Sequence, residues 1–469
     1  MFYLKKFMIN KIYFISILVL ILYKITAIFF TEFNLFSDEA QYWLWSQSID
    51  FGYYSKPPLL AWFIAGYTKV LGSTFIALKI FPIIMYFFIS FAVYILCLKL
   101  NLSKKSSLVC SLSFLILPAV SISSFLISTD LLLLLFWTLS MIILLQVHYD
   151  GSNINFLLLG LFLGLTFLAK YAAIYFLLCL CILLIVDKKT LKAFTNNPLG
   201  IGVFLSSLLL VLSPNIFWNL NNGWVTLTHT SDNANLQNLN INFYNPLMFV
   251  LSQLLMVGPI ITISSILLIK RFSFDFENKF LLIFFIPIFA IVLTESFLVR
   301  ANANWAAPAL ISFFILLFRH TEKEKPLMIK LNFMVNYFIA ILLFSAILFS
   351  SKSSVFDRIR GIEIFSKKIL FEIKDNDLAI SDRMVFSSLS YEFRNKKNNL
   401  YMVYQHGTPI TNHFQITSAL NKNTENDFYF IGEMVDVFYL SRNNKINLVK
   451  GFETTFSSSV LKLYEVNFK

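Results

Sequence analysis

Charge is scarce in this chain. Only 14% of its 469 residues are Asp, Glu, Lys or Arg, against 57% hydrophobic, whereas a soluble domain carries about a quarter charged residues. The deficit gathers in repeated apolar runs, each long enough to cross a hydrocarbon core about 30 Å thick, which excludes an ordinary soluble globule. Cysteine is scarce too. Cys97, Cys110, Cys179 and Cys181 all lie in or beside apolar runs, and the last two, separated by one residue on an expected helix, point away from each other. Neither CxxC nor HExxH occurs, so no disulfide and no zinc site is expected. His148, His229, His320, His406 and His413 form no metal spacing and no histidine triad. Internal repeats and low-complexity segments are absent, as is any basic patch interleaved with aromatics. The formal net charge of +12 therefore does not point to nucleic acid. Behind Lys5, Lys6 and Lys11 runs an apolar stretch from Ile12 to Phe30 with no small-residue cleavage site after it. It reads as an uncleaved first span.

What the chain has in quantity is phenylalanine, 53 of them, suited to lipid-facing helix surfaces. Apolar runs near 12–30, 76–98, 106–124, 131–147, 156–169, 172–186, 199–218, 246–269, 280–297, 303–318 and 331–350 give about eleven expected helical spans. One set of connecting segments holds the N-terminal lysines and the clusters at 99–105, 188–192, 270–279 and 319–330. The other holds only Lys56, Lys69, Lys170 and Arg300. That bias, roughly four to one, places the first set and the N-terminus in the cytoplasm and the tail outside. The expected architecture is a polytopic α-helical membrane domain over 1–350 and a small extracytoplasmic α/β domain over 351–469 in the cytoplasmic membrane. Strands are expected at 377–381, 400–404, 428–431 and 460–466, with a helix over 384–394.

Charges in or near the outer side of the membrane are the candidates for chemistry. The first outer loop, 31–75, carries Tyr42, Trp43, Trp45, Tyr53, Tyr54 and Trp62, residues that suit helices lying in the headgroup zone. It opens with Ser37-Asp38-Glu39. These acids either cap a helix or supply a general base that orients an acceptor. Lys56 precedes Pro57-Pro58, which keeps its backbone extended. It binds lipid headgroups or grips a lipid-linked phosphate. Asp130 stands directly before a leucine run, where a carboxylate is costly unless it faces protein or water. The runs on either side of Lys170 and Tyr171 are each about 22 Å long as helices, too short for a full crossing, so these two residues should sit below the outer surface. Arg300 lies at an outer span end, either as an interface anchor or as a bidentate phosphate ligand. Glu295 reads as a structural partner and Lys24 as a snorkelling lysine.

In their order these motifs resemble the GT-C glycosyltransferases, specifically the bacterial protein-mannosyltransferase-like group that includes the lipid A aminoarabinose transferase. The resemblance rests on Asp38-Glu-Ala-Gln-Tyr-Trp-Leu-Trp and Gly52-Tyr-Tyr-Ser-Lys56-Pro-Pro-Leu in the first loop, and on Thr129-Asp130 before its leucine run. Gly164-Leu-Thr-Phe-Leu-Ala-Lys170-Tyr171, the segment Asn215 to Trp224 and the segment Arg300 to Pro308 complete it. It implies an inverting glycosyltransferase using a polyprenyl-phosphate sugar donor and a lipid A, glycan or protein acceptor at the outer face of the membrane. Asp38, with Glu39 beside it, and Asp130 would be the catalytic acids. Lys56, Lys170, Tyr171 and Arg300 would hold the donor. In the aminoarabinose transferase an acid linked to a metal precedes the loop lysine. Here that position is Ser55, so no metal is expected there, and a divalent metal elsewhere stays open. The competing class is a multi-span transporter or scramblase. It would show internal repeats and paired broken helices, and the first-loop pattern has no second copy.

Overall fold

A computed structural model of the chain describes residues 2–234, 241–349, 352–405, 407–420, 426–432, 434–442 and 444–468; His406 lies outside them. The chain forms two compact units. The first comprises residues 1–29, 56–60 and 76–346, and the second residues 30–55, 61–75 and 347–469. The aromatic loop thus belongs mostly with the tail.

The first unit is helical throughout. Each apolar run of the sequence falls on helix, but not each as one uninterrupted span. Among the described residues six helices are long and apolar enough to cross a membrane, or up to eight if each of two bent pairs counts as one span. The remaining runs are short or broken, so the expected number of crossings is not reached by unbroken helices. Two breaks show why. Helix Tyr244–Val257 turns by 104° into Pro259–Leu267 at Gly258, whose φ of +108° is a region open to glycine and strained for other residues. A Cβ there would come within 2.6–2.7 Å of the amide groups of Asn332 and Asn336. Asn332 Oδ1 accepts the Ile261 backbone N–H at 3.0 Å, satisfying a donor that the break frees. The second bend, 105°, separates Tyr171–Val186 from Lys188–Thr195. Asp187 caps the latter, accepting the Thr190 N–H at 2.7 Å.

Helices Asn153–Ala169 and Pro198–Asn221 cross closely because glycines face the crossing. A Cβ on Gly160 would lie 1.9 Å from Ser207 Oγ and 2.3 Å from the Phe204 carbonyl. One on Gly164 would lie 2.8 Å from Val211. This small-xxx-small pattern is how membrane helices gain contact without a hydrophobic driving force.

The second unit holds a five-stranded sheet of β1 (Leu378–Ile380), β2 (Leu400–Met402), β3 (Phe428–Ile431), β4 (Asn444–Phe452) and β5 (Leu461–Phe468) in the order β2-β1-β3-β5-β4. β1 pairs in parallel with β2 and β3, while β5 runs antiparallel to β3 and β4. Helix Arg383–Glu392 makes the crossover from β1 to β2, as parallel pairing requires. Ala379, Phe428, Phe430, Leu440 and Val466 form its core. Helix Ser37–Gln47 packs on this unit, and its aromatics are interior rather than turned to headgroups. Trp43 meets Tyr391 edge-on at 5.0 Å, and Trp45 stacks on Tyr53 at 4.6 Å with His413 against both rings. An aromatic-rich amphipathic helix has the same pattern whether a bilayer or a protein covers it, which is why the sequence suggested the headgroup zone.

Candidate functional site

In the first unit three segments distant in sequence meet on one carboxylate. Asp130 is the first residue of helix Asp130–Tyr149, placed there because the leucine run that follows is helical and Ser128-Thr129 ends the preceding loop. Lys170 follows the end of helix Asn153–Ala169 in an extended conformation, φ −163° and ψ 135°, before a 3₁₀ turn resumes the path. That break aims its side chain inward. Lys170 Nζ donates to Asp130 Oδ1 at 2.7 Å, with the side chains 18% and 11% exposed. Asn304 Nδ2 donates to the other oxygen, Oδ2, at 3.0 Å. Both carboxylate oxygens are therefore engaged, one by a charge and one by an amide.

Tyr171 makes a second, uncharged network. Its hydroxyl donates to Asn215 Oδ1 at 2.8 Å and accepts from Asn219 Nδ2 at 3.1 Å. Asn215 and Asn219 sit one helical turn apart on Pro198–Asn221 and so face the same way. Arg300 is exposed just beyond helix Ile286–Leu298, and it is Asn304, four residues on, that reaches Asp130. Lys56 is half-buried beside the buried Pro57.

In the second unit Asp38 and Glu39 take different parts. Glu39 is 1% exposed, and its Oε2 accepts the Phe36 backbone N–H at 2.8 Å. That is the back-bond of a helix N-terminus, so Glu39 fixes the start of Ser37–Gln47. Asp38, one residue earlier, is 43% exposed, with the Arg383 guanidinium 3.7 Å from Oδ1. Arg383 also donates to Gln41 Oε1 at 2.8 Å, which fixes the guanidinium one turn along from Asp38. Of two adjacent acids, one anchors the helix and the other is left partly open to solvent.

Four participants, Arg383, Asn304, Asn215 and Asn219, were not among the candidate site residues named from the sequence. Arg383 lies in a soluble-looking tail where an arginine is ordinary. Asn304 and the Asn215/Asn219 pair are uncharged, although the spacing of that pair within an apolar helix is a signal that could have been read. Among the described residues no three His, Cys, Asp or Glu side chains gather in metal-binding geometry.

Residues 55–218 match the family described as dolichyl-phosphate-mannose-protein mannosyltransferase. The lipid A galacturonosyltransferase RgtD of Rhizobium johnstonii is 30% identical over 299 residues, 63% of this chain and 62% of that protein. The chain thus spans about three-fifths of the length of this curated relative. Among solved structures, ArnT from Cupriavidus metallidurans superposes with a TM-score of 0.67 in its apo state. Its complex with undecaprenyl phosphate superposes with a TM-score of 0.69. Both are 12% identical and cover 96% of this chain and 97% of theirs. The chain has the ArnT fold, and the resemblance read from its loops holds for the matched segment and for the architecture. It is a multi-pass membrane protein.

Proposed function

We propose that this chain is an inverting membrane glycosyltransferase of the GT-C kind, moving a sugar from a polyprenyl-phosphate carrier to lipid A at the outer face of the inner membrane. In this reading its N-terminus is cytoplasmic and residues 351–469 form an extracytoplasmic domain. The observation that carries it is the Asp130–Lys170–Asn304 cluster, an ion pair kept at the junction between two apolar helices of an ArnT-like fold. Buried charge at such a junction is costly and is retained where it has work to do. The carrier that ArnT is solved with and the acceptor in the name of RgtD support this choice of substrates.

During transfer the bond between the anomeric carbon and the carrier phosphate breaks, and the acceptor oxygen attacks from the opposite face. Negative charge grows on the departing phosphate and must be met by fixed cations. Asp130 neutralises Lys170, so Lys170 contributes a directed N–H, while Lys56 and Arg300 bring further cationic groups to the departing phosphate. Asp38, accessible and steadied by Arg383, takes the acceptor proton. Glu39 and Tyr171 hold the frame: Glu39 by capping the helix that bears Asp38, and Tyr171 by tying the helix break to Asn215.

The test is transfer by purified protein in lipid vesicles from galacturonosyl and aminoarabinosyl polyprenyl phosphates to lipid A. Asp38→Asn and Lys56→Ala should each lower turnover about 100-fold or more, by analogy with the loss of one electrostatic donor. Near-normal transfer by both variants would reject the assignment.

A further inference from the structure

Lys24, in the first span, does not snorkel. It is 4% exposed, its Nζ donates to Ser124 Oγ at 3.0 Å, and the ammonium lies 5.0 Å from the centre of the Phe344 ring. Among the described residues no carboxylate pairs with it. It stands six residues before Phe30, the end of its helix, so its Cα is about 9 Å below the helix terminus. A hydroxyl and a ring face compensate a cation poorly at that depth, and such a charge is retained where a counter-ion comes and goes.

A cavity of about 220 Å³ adjoins it, lined by the first span, helix Phe75–Lys99 and the turn of chain that bears Ser124. Ile17, Ile21, Ile83 and Ile84 make its walls, while Phe87, 60% exposed, marks its open side. Tyr86, also on the wall, is hydrogen-bonded to Ser123. Among the described residues that line the cavity, Lys24 carries the one ammonium, separate from the Asp130–Lys170 pair.

We infer that this groove seats an acyl chain of the phosphorylated acceptor lipid, with Lys24 as the counter-charge to that lipid's phosphate. The inference rests on the function proposed above and adds the acceptor's position. Charge and lining both favour it: the walls are mostly aliphatic, and Lys24 is the one cation among the described residues that line them. An annular phospholipid keeps its phosphate at the membrane boundary, above Lys24, whereas a substrate drawn into the protein brings its phosphate down. The donor's phosphate is served by the cations around the transfer site and has no need of this one.

The experiment uses the full chain in vesicles and lipid A bearing a photoactivatable acyl chain. Labelling should fall on the peptide containing Ile83 and Ile84 and vanish in Ile84→Trp, which fills the groove. In transfer assays Lys24→Met and Ile84→Trp should each raise KM for lipid A about tenfold while KM for the donor stays put, and Lys24→Arg should restore the acceptor KM. A shift in donor KM instead would assign the groove to the isoprenoid chain and overturn the inference, as would labelling elsewhere or equal displacement of the label by ordinary phospholipid. If no polyprenyl-phosphate sugar supports transfer, the proposed function fails, and labelling alone then decides what the groove holds.

Discussion

Asp130 has one oxygen on Lys170 and the other on Asn304, and the pair is largely buried. Lys170→Met should leave an uncompensated carboxylate and destabilise the first unit by about 3–5 kcal/mol, whereas Asp130→Leu together with Lys170→Met should recover most of that loss. Thermal unfolding of the purified variants in detergent checks both values. At His413 the burden is burial. Packed against Trp45 and Tyr53, its imidazole is pushed down to about 4, with Asp50 pulling weakly the other way. Between about 6.5, where an unfolded histidine titrates, and about 4, the unfolded chain binds a proton that the folded unit refuses. Stability of the second unit should therefore fall by about 3 kcal/mol as pH drops through that window and level off below it. Urea midpoints at pH 7.5 and 4.5, followed by tryptophan fluorescence, should differ in the native chain and converge in His413→Phe. Asp130 and Lys170 stood out in the sequence because a charge against an apolar run is anomalous. His413 and Arg383 did not, because in a polar tail nothing distinguishes a buried histidine or a paired arginine from a solvated one.

Helices and strands were legible in proportion to how strongly one environment dictates them. The apolar runs are helical because hydrocarbon leaves few ways to satisfy a backbone, yet their breaks at Gly258 and after Val186 depend on Asn332 and Asp187, partners that periodicity does not report. In the sheet, β1, β2, β3 and β5 showed as apolar stretches. β4, Asn-Lys-Ile-Asn-Leu-Val-Lys-Gly-Phe, did not, since an edge strand exposed along most of its length has no clean alternation. The crossing of Asn153–Ala169 on Pro198–Asn221 gives a sharp expectation. Gly160→Leu must push apart two helices that leave its Cβ no room against Ser207 and Phe204. The yield of folded protein should collapse, read by size-exclusion chromatography in detergent, while Gly202→Leu on the same helix pair, where a Cβ meets nothing within 4 Å, should behave as the native chain.

At the scale of the molecule, the boundary between units does not follow the chain. A cut at 350 separates the apolar part from the polar tail by composition, but the folded tail takes residues 30–55 and 61–75 as part of itself. The Tyr391 hydroxyl donates to the Ser73 carbonyl at 2.9 Å, and Asn34 Oδ1 accepts the Ile362 N–H at 3.0 Å. Residues 352–468 produced alone should therefore expose the face that Trp43 and its helix cover, bind a hydrophobic dye and aggregate. A fusion that restores residues 30–55 should suppress both, as monitored by dye fluorescence and light scattering. The composition of the tail could not reveal this, because the surface it needs is encoded some 300 residues earlier.

Asp130, Lys170 and Asn304 leave the ribosome in that order. A nascent chain halted between Lys170 and Asn304 already owns the ion pair but lacks the amide that completes it, and the carboxylate keeps one oxygen in search of a donor. Synthesis must run almost to the last span before the trio closes, so a prematurely terminated product would reach the membrane without a finished centre.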